Sequence, residues 1–490
     1  MYLGVDLGTS GIKVIVMNAE GSILATAQES LDVSQPAPLW SEQAPADWWS
    51  AFDKAMLTLA KKGLLNTIKA IGLSGQMHGA VLLDKQNKVL RPAILWNDGR
   101  SAQQCEELEI NVPQSRLITG NMMMPGFTAP KLLWVKQNEP DVFAKVAKVL
   151  LPKDYLRFLL SGDFVSEMSD AAGTMWLDTG KRAWSEDLLE ATGLRIEHMP
   201  SLVEGSQITG HVSLKLAERW GLQSALPIVG GGGDNAAGAI GVGLTEPGQA
   251  MISLGTSGVY FVVADTYKSK PEKAVHSFCH ALPNKWHLMS VLLSAASCLQ
   301  WFADKIVEQS VADLFEQLEQ ALNDNPEILD SRPYFLPYLS GERTPHNNPH
   351  AQGNFFGLTH ATNKIAMFYA VLEGVSFAFA DGVDALHASG ASAKEITVIG
   401  GGARSPIWRQ MLSDVLNKTI VFRSGGEVGP ALGAARLAQV ATDSTRNMLD
   451  ICPQPPIVET HTPNLLNHAK FIKRRDTFTR LYSQLNSLFI

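Results

Sequence analysis

Two aspartates in this chain stand beside stretches of nearly bare backbone. Asp6 ends a short apolar run and opens Asp6-Leu-Gly-Thr-Ser-Gly11, while Asp234 follows four glycines in Gly230-Gly-Gly-Gly-Asp-Asn235. The first hexapeptide returns as Ser253-Leu-Gly-Thr-Ser-Gly258. Loops of glycine and small hydroxyl residues leave their backbone N–H groups uncovered, so phosphate oxygens can approach closely. Thr9 and Ser10 lie in the first such loop. A carboxylate at its mouth, Asp6, can hold Mg²⁺ through water, because Mg²⁺ resists complete dehydration; a loop-capping aspartate is the alternative. Lys13 faces the same region, either to approach phosphate or as an exposed strand lysine. Phosphoryl transfer to an alcohol needs a group that accepts the hydroxyl proton as the oxygen attacks in line. Asp234, projecting from a glycine turn, is the candidate base, with an Asx-turn as the alternative. Val398-Ile-Gly-Gly-Gly-Ala-Arg-Ser405, a strand running into a glycine turn, suits a flat nucleobase lying against bare backbone.

The elements around these residues are expected to repeat. Tyr2–Asp6 with Gly11–Met17, and Ala250–Leu254 with Gly258–Val263, read as strand pairs joined by tight loops. Asp47–Lys61 reads as a helix, Ile68–Leu73 as a short strand and Trp408–Leu416 as a helix. Two such loops, one per half, predict a duplicated fold that holds a nucleotide between two lobes, 1–245 and 246–490. Ile365–Leu386 is apolar on nearly every side, as expected of a helix buried between layers, and Glu373 within it is read as structural. Phe471, Phe478, Leu481 and Leu485 form a helical stripe; Lys470, Lys473, Arg474 and Arg475 beside it read as a solvated face.

Composition narrows the function classes. At 490 residues the chain is long enough for two domains. Hydrophobic residues make up 45% and charged residues 18%, with a net charge of −7, which describes a soluble globular protein and supports neither a nucleic-acid nor a membrane surface. Cys105, Cys279, Cys298 and Cys452 are widely separated without a CxxC pair, so neither a disulfide frame nor a zinc site is indicated, in keeping with a cytoplasmic setting. The N-terminus passes straight into a strand, without a signal peptide, and no uninterrupted apolar run approaches a membrane span.

Polar islands follow apolar segments in the first half at Gln76-Met-His-Gly79, Trp96-Asn-Asp-Gly-Arg100 and Asp170-Ala-Ala-Gly-Thr174. Hydrogen-bonding side chains with nearby aromatics suit a sugar, although each island alone reads as a satisfied loop. Phe127-Thr-Ala-Pro-Lys-Leu-Leu-Trp134 resembles the first signature of the FGGY carbohydrate kinases, and Gly353-Asn-Phe-Phe-Gly-Leu358 leading into Val371-Leu-Glu-Gly374 resembles the second. Leu339-Ser-Gly-Glu-Arg-Thr-Pro345 and Gly429-Pro-Ala-Leu-Gly-Ala434 fit the same pattern, whereas Ala366 stands where a polar or acidic residue is usual, a departure expected to touch helix packing only.

The resemblance covers essentially the whole chain. It implies an α/β fold of two ribonuclease-H-like lobes, as in the actin-like ATPases, hinged about a cleft. It further implies Asp234 as catalytic base, Asp6 near the metal, and sugar contacts from Met77, His78, Asp234 and Asn235. Gly255, Thr256, Gly401, Gly402 and Ala403 would touch ATP. Ser74-Gly-Gln-Met-His-Gly79, Leu95-Trp-Asn-Asp-Gly-Arg100, Met124-Pro-Gly-Phe-Thr-Ala-Pro130 and His276-Ser-Phe-Cys-His-Ala-Leu282 resemble the branch acting on D-xylulose, with ribulose or glycerol as the alternative acceptor. The expected ligands are therefore ATP, Mg²⁺ and a sugar, and the sequence leaves a homodimer open.

Overall fold

A computed structural model describes residues 1–324, 332–424 and 429–489. The chain forms two mixed sheets that repeat one order. In the first, Ile23–Ser30, Gly11–Met17 and Tyr2–Leu7 form an antiparallel meander, and Ala70–Gly75 then pairs parallel to Tyr2–Leu7. Pro227–Val229 continues the parallel side, and Ile208–His211 closes the edge. In the second, Trp286–Leu292, Gly258–Ala264 and Ala250–Leu254 form the meander, followed by parallel Glu395–Ile399 and Thr419–Arg423. His276–Cys279 and Ile457–His461 are the two edges. This is the two-lobed, ribonuclease-H-like α/β architecture.

Burial explains the strand patterns. Tyr2–Leu7 is buried along almost its whole length, as a strand covered on both faces must be, whereas Ile23–Ser30 at the edge is largely exposed. The expected strand Ile68–Leu73 lies at Ala70–Gly75, and the expected helices lie at Pro45–Ala60 and Pro406–Leu416.

The late helix Gly429–Thr442 packs on the first sheet and beside the helix Asp234–Gly241. Its approach is backbone to backbone. A Cβ on Gly4 would stand 2.0 Å from the Ala431 carbonyl oxygen, one on Gly72 1.9 Å from that of Ala434, and one on Gly433 1.7 Å from that of Ala237. Glycine is the residue that permits each of these approaches.

Lys364–His387 is buried between layers of the second lobe. Glu373 inside it meets the guanidinium groups of Arg332 and Arg474, both at 2.7 Å, so its role there is structural. The expectation of a solvated basic face on the C-terminal helix Leu465–Leu485 needs correction. Lys470 and Lys473 are exposed, but Arg474 turns inward to Glu373 and Arg475 to Asp381 at 2.6 Å. Phe471 and Phe478 supply the buried stripe.

A cluster of histidines is buried near the junction of the lobes. His280 is fully buried, and its Nδ1 accepts the Leu282 N–H at 3.3 Å. Burial pushes its pKa down to about 3 from an ordinary 6.5. Held neutral when folded, it contributes stability that is complete above pH 6.5 and is lost as the pH falls toward its folded value. The stability difference between wild type and His280→Asn is therefore expected to shrink by about 2 kcal/mol between about pH 7.5 and 5. Urea melts across that range check this; a constant difference would mean that the imidazole titrates normally in the fold.

Candidate active site

Asp6 lies in the centre of the first sheet, opposite Lys13 on one neighbouring strand and Ser74 on the other. Its Oδ1 is buried and has no hydrogen-bond partner among the described residues. Burial, then the charge of Asp234, pushes its pKa up to about 7, with Lys13 acting in the opposite direction. Asp234 begins the helix Asp234–Gly241. The backbone and side-chain amides of Asn235 donate to its Oδ1 at 2.7 and 2.9 Å, leaving Oδ2 for a ligand. Burial raises its pKa to about 6 despite these two hydrogen bonds, so above neutral pH it is chiefly a carboxylate able to take a proton. Two desolvated carboxylates that feel one another suit a cation between them, and the orphaned Asp6 oxygen fits a divalent ion. Among the described residues no cluster of three or more metal-binding side chains forms a cage. Mg²⁺ needs none, because it keeps waters and shares phosphate oxygens.

The first phosphate-type loop is braced from within its own lobe. The Thr9 hydroxyl donates to Gln76 Oε1 at 3.0 Å and accepts from Trp96 Nε1 at 2.9 Å. Gln76 donates to Gln43 Oε1 at 2.9 Å, and Gln43 donates to the Thr9 carbonyl at 2.7 Å. The Thr9 hydroxyl is thus committed to the protein, and Ser10, which is exposed, carries the open face of the loop. None of Gln43, Gln76 or Trp96 was picked out as a brace by sequence reasoning; a glutamine in an apolar run, as at Gln76, was the available signal.

Met77 is brought to the Asp234 turn, and His78 beside it to Gly173. A Cβ on Gly233 would stand 2.8 Å from Met77 Sδ, and one on Gly173 2.5 Å from His78 Cε1. His78 has a φ of 70°, in the left-handed region that costs a non-glycine residue about 1–3 kcal/mol. Its carbonyl is held by Lys131 Nζ at 2.9 Å and by the Thr128 hydroxyl at 3.2 Å, and its ring lies edge-on to Phe127. The first signature segment therefore buttresses a strained residue. His78 Nδ1 donates to the Gly173 carbonyl at 2.7 Å, and burial pushes the ring's pKa down to about 3. It is a neutral imidazole whose Nε2 can accept a hydrogen bond. From the second lobe, the charge of Arg343 also acts on both His78 and His276.

Of the other two polar islands, Trp96 of the first reaches the Thr9 loop, while Asp98 and Asp170 are buried within the lobe. Asp98 chelates Arg100 at 2.9 and 2.7 Å, and that guanidinium lies 3.7 Å from the centre of the Trp40 ring. Asp170 is fully buried beside Lys153, and only Gly173 of its segment meets His78.

A cavity of about 820 Å³ opens on the second lobe. Gly255 and Thr256 of the second loop line one wall and Gly401 and Gly402 another, with Leu299, Phe315 and Ile407 among its apolar surfaces. A flat ring can slide between glycine backbone and this apolar side. Ala403 is buried behind the turn, where its carbonyl accepts from Arg409 at 2.6 Å. Leu299 and Phe315 escaped sequence reasoning because the pattern marks them only as helix core.

Residues 1–241 match the N-terminal domain of the FGGY family of carbohydrate kinases, and residues 250–442 match its C-terminal domain. The chain belongs to this family. Among its relatives, the xylulose kinase of Escherichia coli strain K12 is 57% identical over 99% of both chains. That of Klebsiella pneumoniae is 53% identical over 100% of both. Among solved structures, one titled a "xyloylose kinase", from Brucella ovis, superposes with a TM-score of 0.95 at 47% identity over 99% of both chains. The xylulose kinase of Rhodospirillum rubrum gives 0.92 at 27% identity, covering 100% of this chain and 99% of its own.

For this carbohydrate kinase the Met77–His78 face yields a clean test. Gly173 has an ordinary backbone conformation, so Gly173→Ala acts through its new methyl against His78. It is expected to raise the KM for sugar at least ~10-fold while leaving that for ATP within about twofold, the scale of one displaced hydrogen-bonding group. An unchanged sugar KM would show that the His78 ring does not meet the sugar.

Proposed function

We propose that this chain transfers the γ-phosphoryl group of ATP to the terminal hydroxyl of D-xylulose, giving D-xylulose 5-phosphate and ADP. The observation that carries the chemistry is the desolvated Asp234 carboxylate, with one oxygen free, on a glycine turn packed against Met77. The xylulose kinases among its near-full-length relatives support the choice of sugar.

The sugar binds in the first lobe (1–245), with its C–H face toward Met77. Its hydroxyls meet His78 Nε2, Asn235 and Asp234. ATP binds on the second lobe (246–490), its base beside Gly401, Gly402 and Ala403 and its phosphates directed toward Gly255 and Thr256. Asp234 accepts the hydroxyl proton as that oxygen attacks the γ-phosphorus. Backbone N–H groups of both loops, at Thr9 and Ser10 and at Gly255 and Thr256, take up charge on the transferred group, and Lys13 adds a positive field. Asp6, through water, would hold Mg²⁺, which when bound neutralises charge on the β- and γ-phosphates. Closure of the lobes excludes water and aligns the reacting atoms. This reading places a soluble enzyme in the cytoplasm, acting on small molecules without nucleic acid or membrane, and is compatible with a homodimer.

ADP release measured with Mg-ATP and D-xylulose, D-ribulose, L-ribulose, D-fructose, gluconate or glycerol tests the substrate. The expected kcat/KM for D-xylulose exceeds every other by at least ~10-fold, since wrong stereochemistry leaves buried polar groups unpaired. Equal turnover of another acceptor would overturn the choice of sugar. Asp234→Asn is expected to lower kcat by at least ~10²-fold with sugar still bound; near-normal turnover would remove Asp234 from the role.

A further inference from the structure

The four-glycine turn before Asp234 is the most pliant kind of backbone a chain can offer, yet it carries a group that must be held accurately. Buried charges grip it at both ends. At its entry, Arg157 donates to the carbonyls of Val229 at 2.8 Å and Gly230 at 2.6 Å, and to the Thr209 hydroxyl at 2.7 Å. At its exit, the N–H of Gly233, the residue immediately before Asp234, donates to Glu167 Oε1 at 3.2 Å and to Ser169 Oγ at 3.0 Å.

Glu167 ends the strand Val165–Glu167 and caps the short helix Met168–Ala172, accepting from Ser169 N at 2.7 Å and Asp170 N at 2.8 Å. The Ser169 hydroxyl donates to it as well, at 2.9 Å. Capping alone would need only the helix amides; the bond from Gly233 is additional and reaches 66 residues along the chain. Lys153 stands behind, with Nζ 2.7 Å from Asp154, 2.9 Å from Asp170 and 3.5 Å from Glu167. All five charged side chains are fully buried. A buried ion cluster seldom stabilises a fold more than well-packed apolar residues would, so its contribution here is sought in geometry.

We propose that Glu167 is a positioning residue for the reaction: anchored by Lys153, it fixes the Gly233 peptide and thereby aims the Asp234 carboxylate at the sugar hydroxyl. This rests on the reading of Asp234 as the base. A carboxylate moved by about 1 Å can cost ~10²-fold in rate. It also ceases to favour the sugar hydroxyl over water, so phosphoryl groups are lost to hydrolysis.

The test uses the full-length enzyme carrying Glu167→Gln or Glu167→Asp. The first keeps the size but loses one acceptor oxygen; the second keeps the charge but withdraws it from Gly233. ADP released per D-xylulose 5-phosphate formed is measured with active sites titrated by nucleotide binding. The ratio does not depend on how much enzyme is folded, so a purely stabilising role would leave it unchanged. Both variants are expected to raise it at least ~3-fold, with sugar phosphorylation slowed at least ~10-fold and the KM for ATP within about twofold. An unchanged ratio overturns the proposal, whatever the rate of sugar phosphorylation. If neither variant folds, Ser169→Ala, which removes the other acceptor of the Gly233 N–H, must raise the ratio, and its failure to do so overturns the proposal equally. Asp234→Asn is assayed alongside. Normal turnover in that variant would sink the reading of the base itself, whereas an inactive Asp234→Asn with fully coupled Glu167 variants would sink only the role of Glu167.

Discussion

The geometry of the candidate site depends on three places where a glycine lets backbone touch backbone. Gly4 and Gly72, on the two central strands of the first sheet, receive the helix Gly429–Thr442, and Gly433 of that helix receives Asp234–Gly241. Any side chain at these points would stand within 2.0 Å of a carbonyl oxygen. A segment from the end of the chain is thereby locked between the strand that carries Asp6 and the helix that begins with Asp234. Phosphoryl transfer gains most of its rate from positioning and electrostatics rather than from covalent chemistry, so a junction that cannot slide serves this reaction directly.

Desolvation sets the chemistry at that junction. It raises Asp6 to about 7 and Asp234 to about 6, and it holds His78 neutral near 3. The fold meets these costs unequally. Asn235 compensates one oxygen of Asp234, Gly173 and Lys131 fix the two sides of His78, and Asp6 Oδ1 has no protein partner among the described residues. The uncompensated atom is the one that suits a cation, on the residue that leads into the loop suited to phosphate. The apolar-sided cavity of the second lobe, by contrast, asks for a ring rather than a charge.

Much of this was legible in the sequence, because glycine and small hydroxyl residues reveal bare backbone without any structure. Both phosphate-type loops, the Gly230–Asn235 turn and the Gly400–Gly402 turn stand where their spacing placed them. The strand Ala70–Gly75 was read two residues early, since Gly72, Ser74 and Gly75 show no apolar alternation and are held by pairing with Tyr2–Leu7. The layer on which Gly429–Thr442 packs was not legible, because it follows from contacts with glycines more than 350 residues away. Buried charge was the other blind spot. Lys153, Arg157 and Glu167 look like surface residues in any local window, yet they are fully buried against Asp170, Val229 and Gly233, while half-buried Arg474 and Arg475 turn inward to Glu373 and Asp381.

In the proposed reaction, Asp234 and the nucleotide loops converge on one sugar hydroxyl. The crystal structure of the ternary complex with D-xylulose, Mg²⁺ and a non-hydrolysable ATP analogue tests it most directly. The terminal hydroxyl is expected within about 3 Å of Asp234 Oδ2 and in line with the γ-phosphorus, with the base seated between the Gly401–Gly402 turn and Phe315. A sugar bound with that hydroxyl directed away from Asp234, or a nucleotide seated outside the Gly255 and Gly401 walls, would contradict it.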